Sequence, residues 1–124
     1  MVAAHREAAP LLDAVGLLRL YAMRLDGQII AVLYCLAEAA PRPNLRHYDY
    51  LGGFDPRFAS LSPGTLLIAH AIERASDEGA TAFDFLRGRD PYKYRWGARD
   101  QSMYTLRLWH GGSPAAECRS EEVQ

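Results

Sequence analysis

Two stretches of this sequence carry residue types that could do chemistry together. The first is YLGGFDPRFASLSPGTLL, residues 50–67. A strand-like run ends there in Gly52-Gly53, and Ser62-Pro63-Gly64-Thr65 has the composition of a helix start, with an N-cap serine and a proline at the first helical position. The amides of Gly64, Thr65 and Leu66 would have no partner within such a helix, and with the helix dipole they form an anion site. Gly64 would let a phosphate reach the backbone with no side chain in the way. The same residues also read as a capped helix that binds nothing.

The second stretch is FDFLRGRDPYKYRWGARD, residues 83–100. Asp84 sits mid-strand between Phe83 and Phe85, and strand alternation turns it to the face opposite both. A carboxylate there is costly unless it is paired with a cation or used in catalysis. Arg87, Arg89, Lys93, Arg95 and Arg99 interleave with Tyr92, Tyr94 and Trp96. Such a pattern suits RNA, the phosphates of a nucleotide, or a solvated basic edge. His47, His70 and His110 have no second ligand at metal spacing, so no metal site is expected. Cys35 lies in an apolar run and reads as a small core residue. There is no nucleophile elbow, P-loop or dinucleotide fingerprint.

These residues need elements to position them. Residues 8–18 read as a short amphipathic helix with Pro10 in its first turn and Gly16 at its end. Residues 18–25 and 28–36 are apolar runs divided by Asp26-Gly27, a strong hairpin signal. The second run does not alternate, which predicts an interior strand covered on both faces. A strand over 47–54 precedes a helix over 63–78, whose apolar face carries Leu67, Ile68, Ala71, Ile72 and Ala75, with Gly79 as its cap. Residues 82–88 read as a strand, 91–96 as a helical turn and 104–109 as a last strand. The expected architecture is an α/β fold with a mixed, mostly antiparallel sheet and one parallel pair, in a single domain over 1–112. A polar tail, 113–124, is expected to be disordered.

With 124 residues the chain is one ordinary domain, and its net charge of −1 argues against a protein built to coat nucleic acid or anionic membrane. Its longest apolar run, 29–37, is about half of what a membrane helix needs. Charged residues near the N-terminus leave no signal-peptide core, so the expected compartment is the cytoplasm.

Taken in order, GGFDP, SPGTLL, FDFLRG and YKYRWG within LYAMRLDGQIIAVLYCL, YDYLGGFDPRFASLSPGTLLIAHAIERASDEGA and FDFLRGRDPYKYRWGA resemble the CelD-like, cellulose-biosynthesis-associated branch of the GNAT acyltransferase superfamily, related in fold to the FemAB-type aminoacyl transferases. The resemblance covers residues 17–109. It implies two parallel strands, at 47–54 and 82–87, that splay apart around the pantetheine arm of acetyl-CoA. It implies a pyrophosphate at Ser62, Gly64 and Thr65, and it matches Lys93 to a lysine near phosphate-bearing groups. The expected GNAT loop has more glycines, and the family's first strand and helices would precede Leu17. A fragment, or a sheet completed by a second copy in a homodimer, is therefore expected.

The implied reaction moves an acetyl group from acetyl-CoA to an amine by direct attack, with a place in polysaccharide or cell-envelope biosynthesis. Its chemistry assigns the oxyanion to amides of Leu51, Gly52 and Gly53, the amine to Asp84 as base or positioning group, and the leaving thiolate to Tyr94 or Tyr92 as acid. Two alternatives stand beside it. One is a FemAB-like transferase using aminoacyl-tRNA, and the other a truncated, non-catalytic module that acts as a binding partner.

Overall fold

A computed structural model describes residues 2–106 and 108. The element order is α1 (Val2–Ala14), β1 (Leu18–Leu25), β2 (Gln28–Ala37), β3 (Arg46–Phe54), a 3-10 turn (Pro56–Leu61), α2 (Pro63–Asp77), β4 (Ala82–Asp84) and α3 (Pro91–Arg95). The described residues fall into two compact units, one ending at Leu86 and one beginning at Arg87.

The first unit holds a four-stranded sheet in the order β1-β2-β3-β4. β1, β2 and β3 pair antiparallel, and β3 and β4 pair parallel. The β1–β2 reversal is made by Asp26 at φ 48° and Gly27 at φ 79°, the left-handed pair that a two-residue hairpin requires. α2 forms the crossover and packs chiefly on β2. Ala31, Leu33, Cys35 and Ala37 alternate along β2 into this core, where they are buried with Leu67, Ile68, Ala71 and Ala75 of α2. Burial in that core pushes the Cys35 thiol up to about 12, so it is inert at neutral pH. No helix among the described residues is long and apolar enough to cross a membrane.

Five sequence expectations change. α1 starts well before residue 8 and carries Pro10 inside it, because the alanine-rich first turns supply the helix propensity. β2 is central but buried mainly on its α2 side. On the other side Val32 is 43% exposed, and Tyr34 and Leu36 are only half-buried. β4 stops at Asp84 rather than running to residue 88, because the Asp84 carboxylate accepts a hydrogen bond from the Leu86 N–H at 2.8 Å. That turn, with Leu86 at φ 56°, takes the chain out of the sheet. Residues 104–106 form no strand. Arg107, Trp109, His110 and the tail 113–124 lie outside the described residues.

The fifth change concerns Ser62. It is the N-cap residue of α2, but at φ 50° and ψ 50° its hydroxyl makes no capping hydrogen bond. Its backbone N–H donates to the Ala59 carbonyl, and its own carbonyl accepts from the Leu66 N–H at 3.2 Å. The residue serves the chain reversal between the 3-10 turn and α2. Since left-handed backbone suits glycine, Ser62→Gly is expected to stabilise the fold by up to about 1 kcal/mol in urea unfolding. A loss of that size would instead show that the hydroxyl caps the helix.

Candidate functional site

The parallel pairing of β3 and β4 covers only Arg46 with Ala82, His47 with Phe83, and Tyr48 with Asp84. There the two strands part. Immediately beyond, the register of β3 against β2 shifts, so that Cys35 faces Asp49 and Tyr34 faces Leu51, with Tyr50 as the extra, bulged residue. Leu51, Gly52 and Gly53 remain paired to Tyr34, Leu33 and Val32 on one edge. Their other edge has no strand beside it among the described residues. Because N–H groups alternate from side to side along a strand, this edge presents unpaired backbone groups.

The glycines differ in why they are needed. A Cβ at Gly52 would come within 2.9 Å of the buried Leu33 side chain, so packing alone accounts for that glycine. At Gly53 a Cβ would meet nothing within 4 Å. At Gly64 it would lie 3.8 Å from Phe54 Cδ1, an ordinary contact, and the backbone is not left-handed there. Packing and backbone therefore leave Gly53 and Gly64 free to be larger residues. Of the three amides expected to be open at the start of α2, that of Leu66 is taken by Ser62. Those of Gly64 and Thr65 have the first-turn geometry that leaves N–H groups without a helical partner.

Asp84 lies where the strands part. Its Oδ1 holds the Leu86 N–H, and its Oδ2 is 3.6 Å from the Arg46 guanidinium. Next to it the Tyr48 hydroxyl donates to Glu38 Oε1 at 2.7 Å, and Glu38 Oε2 accepts from the Arg46 N–H. That hydrogen bond raises the Tyr48 phenol above its ordinary value and holds Glu38 below the usual carboxylate value. Tyr48 is thus held by Glu38 at its hydroxyl and is the register partner of Asp84.

Three rings from three elements meet over the bulge. His5 of α1 lies 5.6 Å from Tyr50 and 5.9 Å from Tyr34, and the two tyrosines are 5.5 Å apart, all centroid to centroid. No sequence pattern singles them out. Nothing local marks a histidine in an alanine-rich helix, and only the sheet register brings Tyr34 beside Tyr50.

Tyr92, Lys93 and Tyr94 belong to the second unit. The Lys93 ammonium is buried, donates to the carbonyls of Arg87 and Gly88, and is 3.2 Å from Asp90 Oδ2. It holds the 87–90 loop together. The Tyr92 ring sits 5.9 Å from that ammonium. The Tyr94 hydroxyl donates to Asp100 Oδ1 at 2.7 Å, which raises its pKa. Tyr94 thus keeps its proton at neutral pH, but that proton is already held by Asp100.

A family model described as an acetyltransferase (GNAT) domain matches residues 1–94. No curated protein sequence matches the chain. Among solved structures, an aminoglycoside 6'-N-acetyltransferase from Acinetobacter haemolyticus superposes with a TM-score of 0.63 at 16% identity, covering 92% of this chain and 82% of that one. An aminoglycoside acetyltransferase from an uncultured soil metagenomic sample, in complex with sisomicin, gives 0.61 at 14%, covering 84% and 74%. A transcriptional regulator from Bacillus halodurans C-125 gives 0.64 at 14%, covering 87% and 76%. At such identities these likenesses establish the fold. The family match reaches the GNAT domain and gives no support to the CelD-like or FemAB-type branch.

Proposed function

The chain belongs to the acetyltransferase (GNAT) domain family, and on that premise we propose that it moves an acetyl group from acetyl-CoA directly to an amine. One observation carries the reading: β3 and β4 part at Tyr48 and Asp84, and the edge this frees on β3 leads toward the open start of α2. A pantetheine arm is an amide chain, and its groups can pair with the unpartnered edge of β3 as a further strand would. The pyrophosphate then meets the amides of Gly64 and Thr65, where unpaired N–H groups and the helix dipole favour an anion. This brings the thioester to Leu51, Gly52 and Gly53, whose outward amides take the charge that develops on its oxygen.

Asp84 draws the cationic amine toward the carbonyl. Arg46 offsets much of its charge, so its share is positioning. Asp84→Asn is expected to raise KM for the amine about tenfold while leaving kcat within about threefold. Unchanged kinetics would take Asp84 out of the site. Amines of the aminoglycoside kind are the first acceptors to try, since proteins of similar fold carry that name. A role in polysaccharide or cell-envelope biosynthesis rests on the sequence resemblance. The test is titration calorimetry with acetyl-CoA, followed by thiol release in the presence of sisomicin and simple primary amines. A folded protein with no affinity for acetyl-CoA overturns the reading.

A further inference from the structure

Direct attack on a thioester needs a neutral amine, yet amines arrive at neutral pH as ammonium ions. Some group must accept that proton beside the carbonyl. Asp84 is poorly suited, because its two oxygens hold the Leu86 N–H and face the Arg46 guanidinium. We propose that His5 is a further catalytic residue, the base that takes the proton from the amine, and that Tyr34 and Tyr50 form with it the wall that seats the amine. The proposal rests on the acetyltransferase reading above.

Four observations converge on it. Tyr50 is the bulged residue, directly before Leu51, at the point where β3 loses its partner strand. His5 stands edge-on to Tyr50 at 5.6 Å, so its ring lies over that same point. Tyr50 follows the register in which Tyr48 faces Leu36 and Asp49 faces Cys35, which sets it on the Tyr34 side of the sheet, and the bulge then turns Leu51 to that side as well. Finally, Tyr50 is 45% exposed, and His5 and Tyr34 are half-buried, so a ligand can reach the rings. Imidazole is the side chain best suited to exchange protons near neutral pH. The electron-rich faces of the two tyrosines attract an ammonium group before it is deprotonated. The titratable groups in ring contact with His5 are Tyr34 from β2 and Tyr50 from β3, and Arg6 and Glu7 follow it on α1.

The steps balance. His5 takes one proton from the ammonium. The amine lone pair forms the C–N bond to the thioester carbon, giving an oxyanion held by backbone amides. The carbonyl re-forms as the C–S bond breaks, and the second N–H proton passes to the departing sulfur, giving CoA thiol and amide. His5 returns its proton to solvent.

The experiment uses the full chain, its His5→Gln variant and a Tyr50→Leu variant. Calorimetry with acetyl-CoA comes first, and both variants are expected to match the parent within about twofold. Steady-state acetyl transfer to sisomicin and to benzylamine is then followed from pH 5.5 to 8.5. His5→Gln is expected to lose at least a hundredfold in kcat, within the range known for general bases, and to lose the acid limb of the parent's kcat profile. Tyr50→Leu is expected to raise KM for the amine with kcat changed less than fivefold. If the parent does not bind acetyl-CoA, the acetyltransferase reading itself fails, and the His5 proposal with it. If the parent binds acetyl-CoA but acetylates neither amine, the transfer to amines fails and the His5 proposal with it. If the parent acetylates an amine and His5→Gln keeps its kcat and pH profile, the His5 proposal alone is overturned.

Discussion

Gly64→Val is expected to fold and to lose at least a hundredfold in affinity for acetyl-CoA. The space at position 64 is what makes the test clean. An added Cβ would sit at 3.8 Å from Phe54, and no left-handed backbone has to be accommodated. Valine in a first helical turn costs well under about 1 kcal/mol through its restricted χ1. A pyrophosphate held by the amides of Gly64 and Thr65 must approach where the valine methyl groups would stand. No substitution can delete those amides, so blocking the approach is the available perturbation. Calorimetry on parent and variant, with urea unfolding as a control, reads both quantities. Full affinity in a stable Gly64→Val protein would place the anion site elsewhere.

Acidification is expected to destabilise the fold in two stages, the first beginning near pH 6.5. His47 of β3 is buried, with Nδ1 lacking a partner among the described residues and Nε2 3.5 Å from Glu78 Oε2. Burial lowers its pKa below 6.5, Glu78 pulls the other way, and Arg19 adds to the lowering. The unfolded chain therefore binds a proton that the folded chain resists. The stabilisation is fully present above about pH 6.5 and is lost as pH falls from there through the folded value. One proton limits the slope to about 1.4 kcal/mol per pH unit.

Glu78 supplies the second stage. Its bidentate bond from Arg19 holds it below the ordinary 4.5, so its stabilisation is present above that value and lost beneath it. Urea midpoints between pH 8 and about pH 2.5 measure both stages. His47→Gln should flatten the upper stage and leave the lower one in place. An unaltered upper slope in that variant would assign the proton uptake to another group.

The effects of these variants depend on features that were unequally legible in the sequence. The start of α2 was readable as a place where amides go unpaired, because proline at the first position and glycine behind it act within one turn. The role of Ser62 was not readable. Whether a serine caps through its hydroxyl depends on its own φ and ψ, and here the chain arriving from the 3-10 turn forces it left-handed. Asp84 could be assigned to a strand but not to that strand's end, since its carboxylate closes the turn that stops β4.

The sequence by itself determined the parts whose causes lie within a few residues. Asp26-Gly27 determined the hairpin, Gly16 and Gly79 the ends of α1 and α2, and the spacing of Leu67, Ile68, Ala71 and Ala75 the face that α2 buries. Composition and element order implied the mixed sheet. Only the tertiary structure decided which residues of distant segments stand together. The bulge at Tyr50 shifts the β2–β3 register by one residue, and with a side-chain period of two such a shift changes the face a residue occupies. The β2–β3 register places Tyr50 beside Tyr34 and His5, and the shift turns Leu51 to that same face just beyond the point where β3 parts from β4. No pattern of residue types along the chain encodes that meeting, because pairing and packing summed over the whole sheet settle the register.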